Sequence, residues 1–333
     1  MHASPFFACI LLAAPALAES PTAALPTFDA ASVRQNNRPD ARAHINVPLD
    51  SGNVYSTISP DDARSAAGGF FVATHQTLWR FITFAYKLSG TQELALRFNM
   101  FSGVPKSGAP TWVTGTFTSP AEFFDIEARA TSGTTLDQMR LMMQALLAER
   151  FHLAVHYETA EAPVFALVLV KPGLTGSHLQ PHPASDACAA STPVAPESSA
   201  PHPATTASAI GDLPPACGVI AHVPSSEPGQ HYGGRAVPIS LLATSMPTLT
   251  GLAAIPRPVV DQTGLTGLYD FTLHWIHDTN GGATPATTNE SVVSDNMASF
   301  RHALRDQLGL ELRPARAPID ILVIDHIDHP TEN

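Results

Sequence analysis

At 333 residues the chain has room for one large domain or two ordinary ones. Hydrophobic residues make up 44% and charged residues only 14%, so a sizeable core is available under a surface of Ala, Ser, Thr and Pro. The net charge of −11 argues against nucleic acid, which needs Lys and Arg clustered on phosphates, and against anionic membrane surfaces.

Phe6–Ala18 (FFACILLAAPALA) is a short apolar run ending in a small-x-small site, as in a secretory signal cleaved before Glu19. It departs from that pattern in carrying no Lys or Arg ahead of the run, and a buried N-terminal helix is the alternative. It falls short of the roughly 20 apolar residues that span a bilayer, and no other segment qualifies. The expectation is an exported chain, periplasmic or extracellular, with no transmembrane segment once residues 1–18 are removed. Cleavage also removes Cys9 and leaves Cys188 and Cys217. In an oxidising compartment an even pair suggests one disulfide, closing a loop of roughly 30 residues worth about 3 kcal/mol. Two buried thiols are the alternative.

Phe28–Arg34 has the pattern of a first strand, and Gln35–Ala67 that of irregular chain or a long hairpin. Gly68-Gly69 turns the chain into Phe70–Ala73. Thr77–Leu88 is helical, with Leu78, Phe81, Ile82 and Ala85 at helical spacing. Thr91–Glu122 reads as loop and Phe124–Ala130 as an alternating strand. Thr135–Phe151 carries the strongest helical signal, capped by Thr134 or Thr135 with Asp137 and Gln138 placed to answer, and packed through Leu136, Met139, Met143, Leu146 and Leu147. Its methionines read as core rather than as an adaptable surface. Leu153–Glu158 and Val164–Val170 read as a hairpin turning at Ala160–Pro163. Lys171–Ala216, rich in Pro, Ala, Ser and Thr, reads as a linker in which His178, His182 and His202 are solvated.

Beyond it the outline recurs. Gly218–Val223 mirrors Phe28–Arg34, Gly233-Gly234 mirrors Gly68-Gly69, and Tyr269-Asp270-Phe271 mirrors Phe124-Asp125-Ile126. Helix Ala298–Leu308 answers Thr135–Phe151, and Ala317-Pro318 before Ile319–Asp325 answers Ala162-Pro163 before Val164–Val170. His277–Asp295 is a loop inserted into the second unit. The predicted fold is α+β: two tandem related units, residues 19–171 and 217–333, joined by a 172–216 linker. Each unit holds a small, mostly antiparallel sheet packed by two helices.

The best-defined stretch is Val259–Trp275 (VVDQTGLTGLYDFTLHW), an apolar pair, a Gly-rich turn and an alternating strand. Asp261 either caps the turn or binds a ligand. Gly264 and Gly267 supply positive φ or close approach. Alternation puts Tyr269, Phe271 and Leu273 on one face and Asp270, Thr272 and His274 on the other.

At these residues the chain resembles a family of secreted, soil-associated bacterial proteins to which no activity has been assigned. The resemblance runs through Phe28–Arg34, Thr77–Tyr86, Pro110 with Trp112, Phe124–Ala130, Gln144–Leu153 and Val164–Lys171. It continues through Val259–Trp275, Ala303–Leu312 with Gln307-Leu308-Gly309-Leu310, and Ile324-Asp325-His326 with Pro330 and Asn333. It implies an exported α+β protein whose module, in some relatives, is attached to a membrane metallopeptidase of the antibiotic-sensor type. This chain lacks His-Glu-x-x-His and membrane helices. The family-motif residues are Asp261, Thr263, Gly264, Leu265, Gly267, Tyr269, Asp270 and Trp275, and the resemblance assigns them no role.

No catalytic residue and no cofactor is assigned from sequence. Gly-x-Ser-x-Gly, Ser-x-x-Lys and a Cys–His pairing are missing from the mature sequence. His152 and His156 have ligand spacing on a helix, but fall on a strand, about 13 Å apart. His274 with His277, and the Asp325–His329 tail, are the better clusters for a stray metal, and no metal site is expected. Trp79, Trp112 and Trp275 are core or a carbohydrate-stacking surface. The expected function is a non-catalytic extracytoplasmic module binding a protein, peptide or envelope component. The alternative is a secreted hydrolase drawing on Asp261, Asp270 and His274. An exposed apolar groove or a free sheet edge would favour the binder, and a deep cleft with convergent carboxylate and imidazole the enzyme.

Overall fold

Period-two burial makes the strands: along Phe123–Arg129 the side chains of Phe124, Ile126 and Ala128 are buried while those between them are not. A computed structural model describes residues 25–47, 49, 54–55, 69–99, 101, 104–116, 119–185, 213–214, 217–223, 225–250, 255, 257–276 and 290–330. The first half contains β1 (Ala30–Gln35), β2 (His44–Ile45), β3 (Val54–Tyr55), β4 (Phe70–Thr77), α1 (Leu78–Ala85), α2 (Gly90–Phe98), α3 (Thr111–Thr114), β5 (Phe123–Arg129) and α4 (Leu136–Phe151). Then come β6 (Ala154–Leu169), β7 (Leu179–Pro181), β8 (Val219–His222), β9 (Gln230–Val237) and α5 (Ile239–Leu249). The rest is β10 (Val259–Asp261), β11 (Tyr269–Trp275), α6 (Glu290–Ala303), a π-helical turn Leu304–Leu308, and β12 (Leu310–His326). The architecture is mixed α/β, with small, largely antiparallel sheets and six helices among the described residues.

Three sheets share the strands, in the orders β1-β5-β4-β2, β10-β6-β12 and β3-β8-β9-β11-β7. The first and third have the same internal register. Phe71 faces Ala128 and Ala73 faces Ile126 in one, while Tyr232 faces Leu273 and Gly234 faces Phe271 in the other. Each then slips at a bulge, between Ala73 and Gln76 and between Gly234 and Val237, before its strand enters α1 or α5. The first sheet packs on α1 and α4 through Phe71, Phe81, Phe84, Phe124 and Phe151, all essentially inaccessible to solvent. The third packs on α5 and α6 through Leu242, Met246, Phe271, Trp275 and Phe300.

Several expectations are corrected. The two predicted hairpins are each one uninterrupted strand, and β6 and β12 pair antiparallel with each other, from Leu310 opposite Leu169 to Ile324 opposite Val155. Ala160–Pro163 has no Gly, Asn or Asp to turn the chain back. Pro163 and Pro318 sit inside the ladder because their missing N–H points away from the partner strand. Within the predicted Thr91–Glu122 loop lies α2, begun by a capping box in which Ser89 and Gln92 satisfy each other's backbone N–H. The linker's first part is not free chain: Leu179 is fully buried and β7 pairs with β11, while His178 is exposed. Gly218–Val223 does not mirror β1, since β8 pairs with β9, whereas the strand placed against β11 as β1 is against β5 is β7. Nor do Gly233 and Gly234 form a turn. They lie inside β9, where a Cβ on Gly234 would stand 2.2 Å from the Phe271 ring. β3, from the first predicted unit, pairs with β8 in the third sheet. Residues 290–295, predicted as loop, open α6. The signal segment, Cys188, His202 and His277 lie outside the described residues.

Candidate functional site

A positive φ at each bulge gives the molecule its two most organised polar sites. Ala236 has φ 52° and His75 has φ 51°, a left-handed conformation that costs an L-residue about 1–2 kcal/mol. In each the backbone N–H leaves the ladder. The Ala236 N–H donates to Asp270 Oδ1 at 2.8 Å, and the His75 N–H donates to Asp125 Oδ1 at 2.7 Å. Each carboxylate is held on its other flank by the residue that follows an edge strand. After β7, His182 Nδ1 lies 2.8 Å from Asp270 Oδ1. After β1, Asn36 Nδ2 donates to both oxygens of Asp125 at 2.9 Å. The backbone fixes these neighbours alike, for the His182 N–H donates to Leu268 O and the Asn36 N–H to Phe123 O.

The two sites differ in chemistry. The Asp270 and His182 side chains are only 11% and 8% exposed, an imidazole–carboxylate pair nearly out of water. The expected placement of Asp270 on the outer face, and of His182 in solvent, is therefore corrected: the bulge in β9 turns the Ala236 N–H to Asp270, and the chain after β7 lays His182 over it. In the first site the His75 ring stacks on Phe123 at 4.1 Å and its Nδ1 lies 3.1 Å from Asn36 O.

Asp261 stands apart, at the end of β10. Its Oδ1 accepts from the Thr263 N–H at 2.9 Å and from the Thr263 hydroxyl at 2.7 Å, and Thr263 Oγ1 accepts the Leu265 N–H at 3.1 Å. Gly264 (φ 72°) and Gly267 (φ 91°) complete the turn. A Cβ at either would meet nothing within 4 Å, so conformation rather than space requires glycine there. Leu265 packs on the second core, where Tyr269 and Trp275 are buried, and Trp275 lies between Tyr232 (5.6 Å) and Phe300 (5.1 Å). Burial raises the Tyr232 hydroxyl above its ordinary pKa.

His274 stacks on His231 at 4.1 Å, and its Nε2 lies 3.0 Å from Pro228 O. Gln307 clamps the same residue through both backbone groups, at 2.9 and 2.6 Å. The structure thus brings Asp270 to His182 and Ala236, while Asp261 and His274 each have their own partners. His152 and His156 reach different carboxylates, Asp328 at 3.3 Å and Asp325 at 2.9 Å. Among the described residues no group of three His, Cys, Asp or Glu is placed to hold an ion, and no helix is long and apolar enough to cross a membrane. Trp79 and Trp112 are half-buried, with Arg97 3.9 Å from the Trp79 ring and His329 4.2 Å from that of Trp112. His182, Asn36, Ala236 and Gln307 carry no sequence signal for these roles, because each meets its partner from a distant segment.

The match that decides the relationship covers residues 80–327, from α1 to the residue after β12, and is to a protein family of unknown function, DUF3738. The chain belongs to the DUF3738 family. The DUF3738 segment contains Asp125, His182, Ala236, Asp261 and Asp270, while Asn36 and His75 precede it. No curated protein and no solved structure matches the chain.

Proposed function

We propose that this DUF3738 chain is an exported, non-catalytic module that binds a protein, peptide or envelope component, built by tandem duplication of one α+β unit. The observation that carries the reading is the commitment of three aspartates at the candidate sites to backbone. Asp125, Asp261 and Asp270 each accept an N–H from a bulge or turn, which is what a scaffold asks of a carboxylate. The duplication is supported by the shared register, the shared bulge and the shared clamp of the two sheets. The binding half is supported by the first half of β6, which runs on past its short pairing with β10 and there has β12 as its one strand neighbour among the described residues, the kind of edge on which an extended strand can be added. Export rests on Phe6–Ala18.

The secreted-hydrolase reading has one observation in its favour, the buried His182–Asp270 pair, which has the composition of an acid/base couple. Against it, the same oxygen of Asp270 already holds the Ala236 N–H. Affinity capture from the producing cell's envelope with the mature chain, with metal analysis of the same preparation, tests the proposal. A specific partner is expected. A stoichiometric metal, or a hydrolytic activity removed by Asp261→Asn or Asp270→Asn, overturns it.

A further inference from the structure

We infer that the open edge of β6 pairs with the same edge of a second copy of this chain, antiparallel about Tyr157. The inference rests on the recognition reading of that edge and names what occupies it. Natural sheet edges are blunted by proline, lysine, bulges or covering chain, because an exposed row of N–H and C=O groups is a template for another strand. The outer edge of β12 is treated in this way. Ile324 sends its N–H out of the ladder to Ser107 O at 2.7 Å, and Pro314 and Pro318 fall on the same side by alternation. Gln92 of α2 covers Asp320 O.

Among the described residues, the edge of β6 has no such protection over 154–159. Phe165 marks the outward side, its N–H leaving the ladder for Pro258 O at 2.8 Å. The ladder runs without a slip from Phe165 back to Val155, so Glu161, Thr159, Tyr157 and Val155 face the same way. Arg316 takes Glu161 O at 2.9 Å. Val155, Tyr157 and Thr159 keep outward N–H and C=O groups that meet no partner among the described residues. Ala154–Glu161 (AVHYETAE) contains no Pro, Lys or Arg, and Tyr157 is 51% exposed.

Charge selects the occupant and the register. With Tyr157 opposite the partner's Tyr157, Val155 meets the partner's Thr159 and every open backbone group on both edges is satisfied. On the other face His156 then meets the partner's Glu158, and Glu158 the partner's His156. His156 Nδ1 is held by Asp325 at 2.9 Å, which leaves its Nε2 for the incoming carboxylate. Moving the dyad one residue forward sets the two Glu158 carboxylates directly opposite each other, which is unfavourable, and one residue back sets His156 against His156, so either shift loses the reciprocal pair. A foreign strand could fill the backbone, but the reciprocal His–Glu exchange comes from the chain's own sequence. The result is an isologous two-fold dimer with a sheet running through both copies.

The test is the mass of the intact mature protein in solution across a concentration series, by light scattering and sedimentation. Wild type is expected to reach the mass of two chains. Tyr157→Pro removes an outward N–H, as Pro163 does naturally, and leaves the β12 ladder whole. It should weaken the dimer at least about tenfold without lowering the thermal midpoint of the monomer. Glu158→Lys, a surface change that keeps the backbone, should weaken it similarly and carries the test should Tyr157→Pro fail to fold. A wild-type chain that is monomeric at every concentration overturns the inference, as does a dimer indifferent to Glu158→Lys. In the monomeric case, peptide binding abolished by Glu158→Lys would leave the recognition reading standing. A hydrolytic activity would instead sink that reading.

Discussion

Two left-handed residues, Ala236 and His75, each depend on one carboxylate, which makes the role of Asp270 and Asp125 measurable. Asp270→Asn replaces a charged acceptor with a neutral one beside a nearly buried imidazole, and should lower unfolding free energy by about 1.5–3 kcal/mol in urea melts. If the His182–Asp270 pair is a clamp and not a catalytic couple, the group at 182 need only donate. His182→Asn should therefore stay within about 1 kcal/mol of wild type, since Asn36 already holds Asp125 in this way. His182→Leu, which leaves Asp270 without that donor, should cost about 1–3 kcal/mol. Equal losses for Asn and Leu would mean that His182 does something beyond donating. Gly234 is the complementary case, where space is short. Gly234→Ala drives a methyl into the Phe271 ring and should destabilise by about 1–3 kcal/mol through overpacking of the third sheet.

At the scale of elements, α2 and α4 begin with the same device, Ser89 with Gln92 and Thr135 with Gln138. Ser89→Ala and Thr135→Ala should each cost about 1 kcal/mol. Both boxes are written in sequence, yet only that of α4 announces a helix, because it opens sixteen residues with a buried face whereas α2 has nine. Asp137, in the first turn of α4, gives an acid dependence of known sign. Burial works to raise its carboxyl, but Arg140 and Lys87 outweigh that and hold it below the ordinary value. Its stabilising effect is present above the unfolded-state pKa of about 3.9 and is lost as pH falls through the lower folded value. With Asp137 72% exposed the effect is small, and Asp137→Asn should change the acid limb of a stability–pH curve only slightly.

On the scale of the whole molecule, the β6–β12 ladder joins the two halves. Leu322 and Leu167 are fully buried on it, Leu322 in the core of the first sheet and Leu167 in that of the third. Truncating either to Ala should cost about 2–5 kcal/mol. A single cooperative transition in both variants, rather than one half melting alone, would show that the ladder couples the halves. The proposed Cys188–Cys217 bridge has one partner outside the described residues, and mass analysis without reductant decides it. With the bridge formed no free thiol is expected at Cys188 or Cys217, and reduction should lower stability by about 3 kcal/mol.

Local chemistry was legible in the sequence: the strands at Phe124 and Tyr269, the helix at Thr135–Phe151, and the turn from Asp261 to Gly267, whose hydrogen bonds join residues two positions apart. Burial periodicity, caps and turn glycines act within a few residues, so the chain states them directly. The hairpins failed because alternation says which face of a strand is buried, not which strand it will meet. The clamps could not be read at all. His182 reaches Asp270 across 88 positions and Asn36 reaches Asp125 across 89, and the bulges that aim the His75 and Ala236 N–H groups at these carboxylates exist only once β4 is in register with β5 and β9 with β11. Sequence alone settled those elements whose burial pattern and caps are local and strong. Strand pairing, a long-range choice made by packing, decided which polar groups meet and which edge is left open.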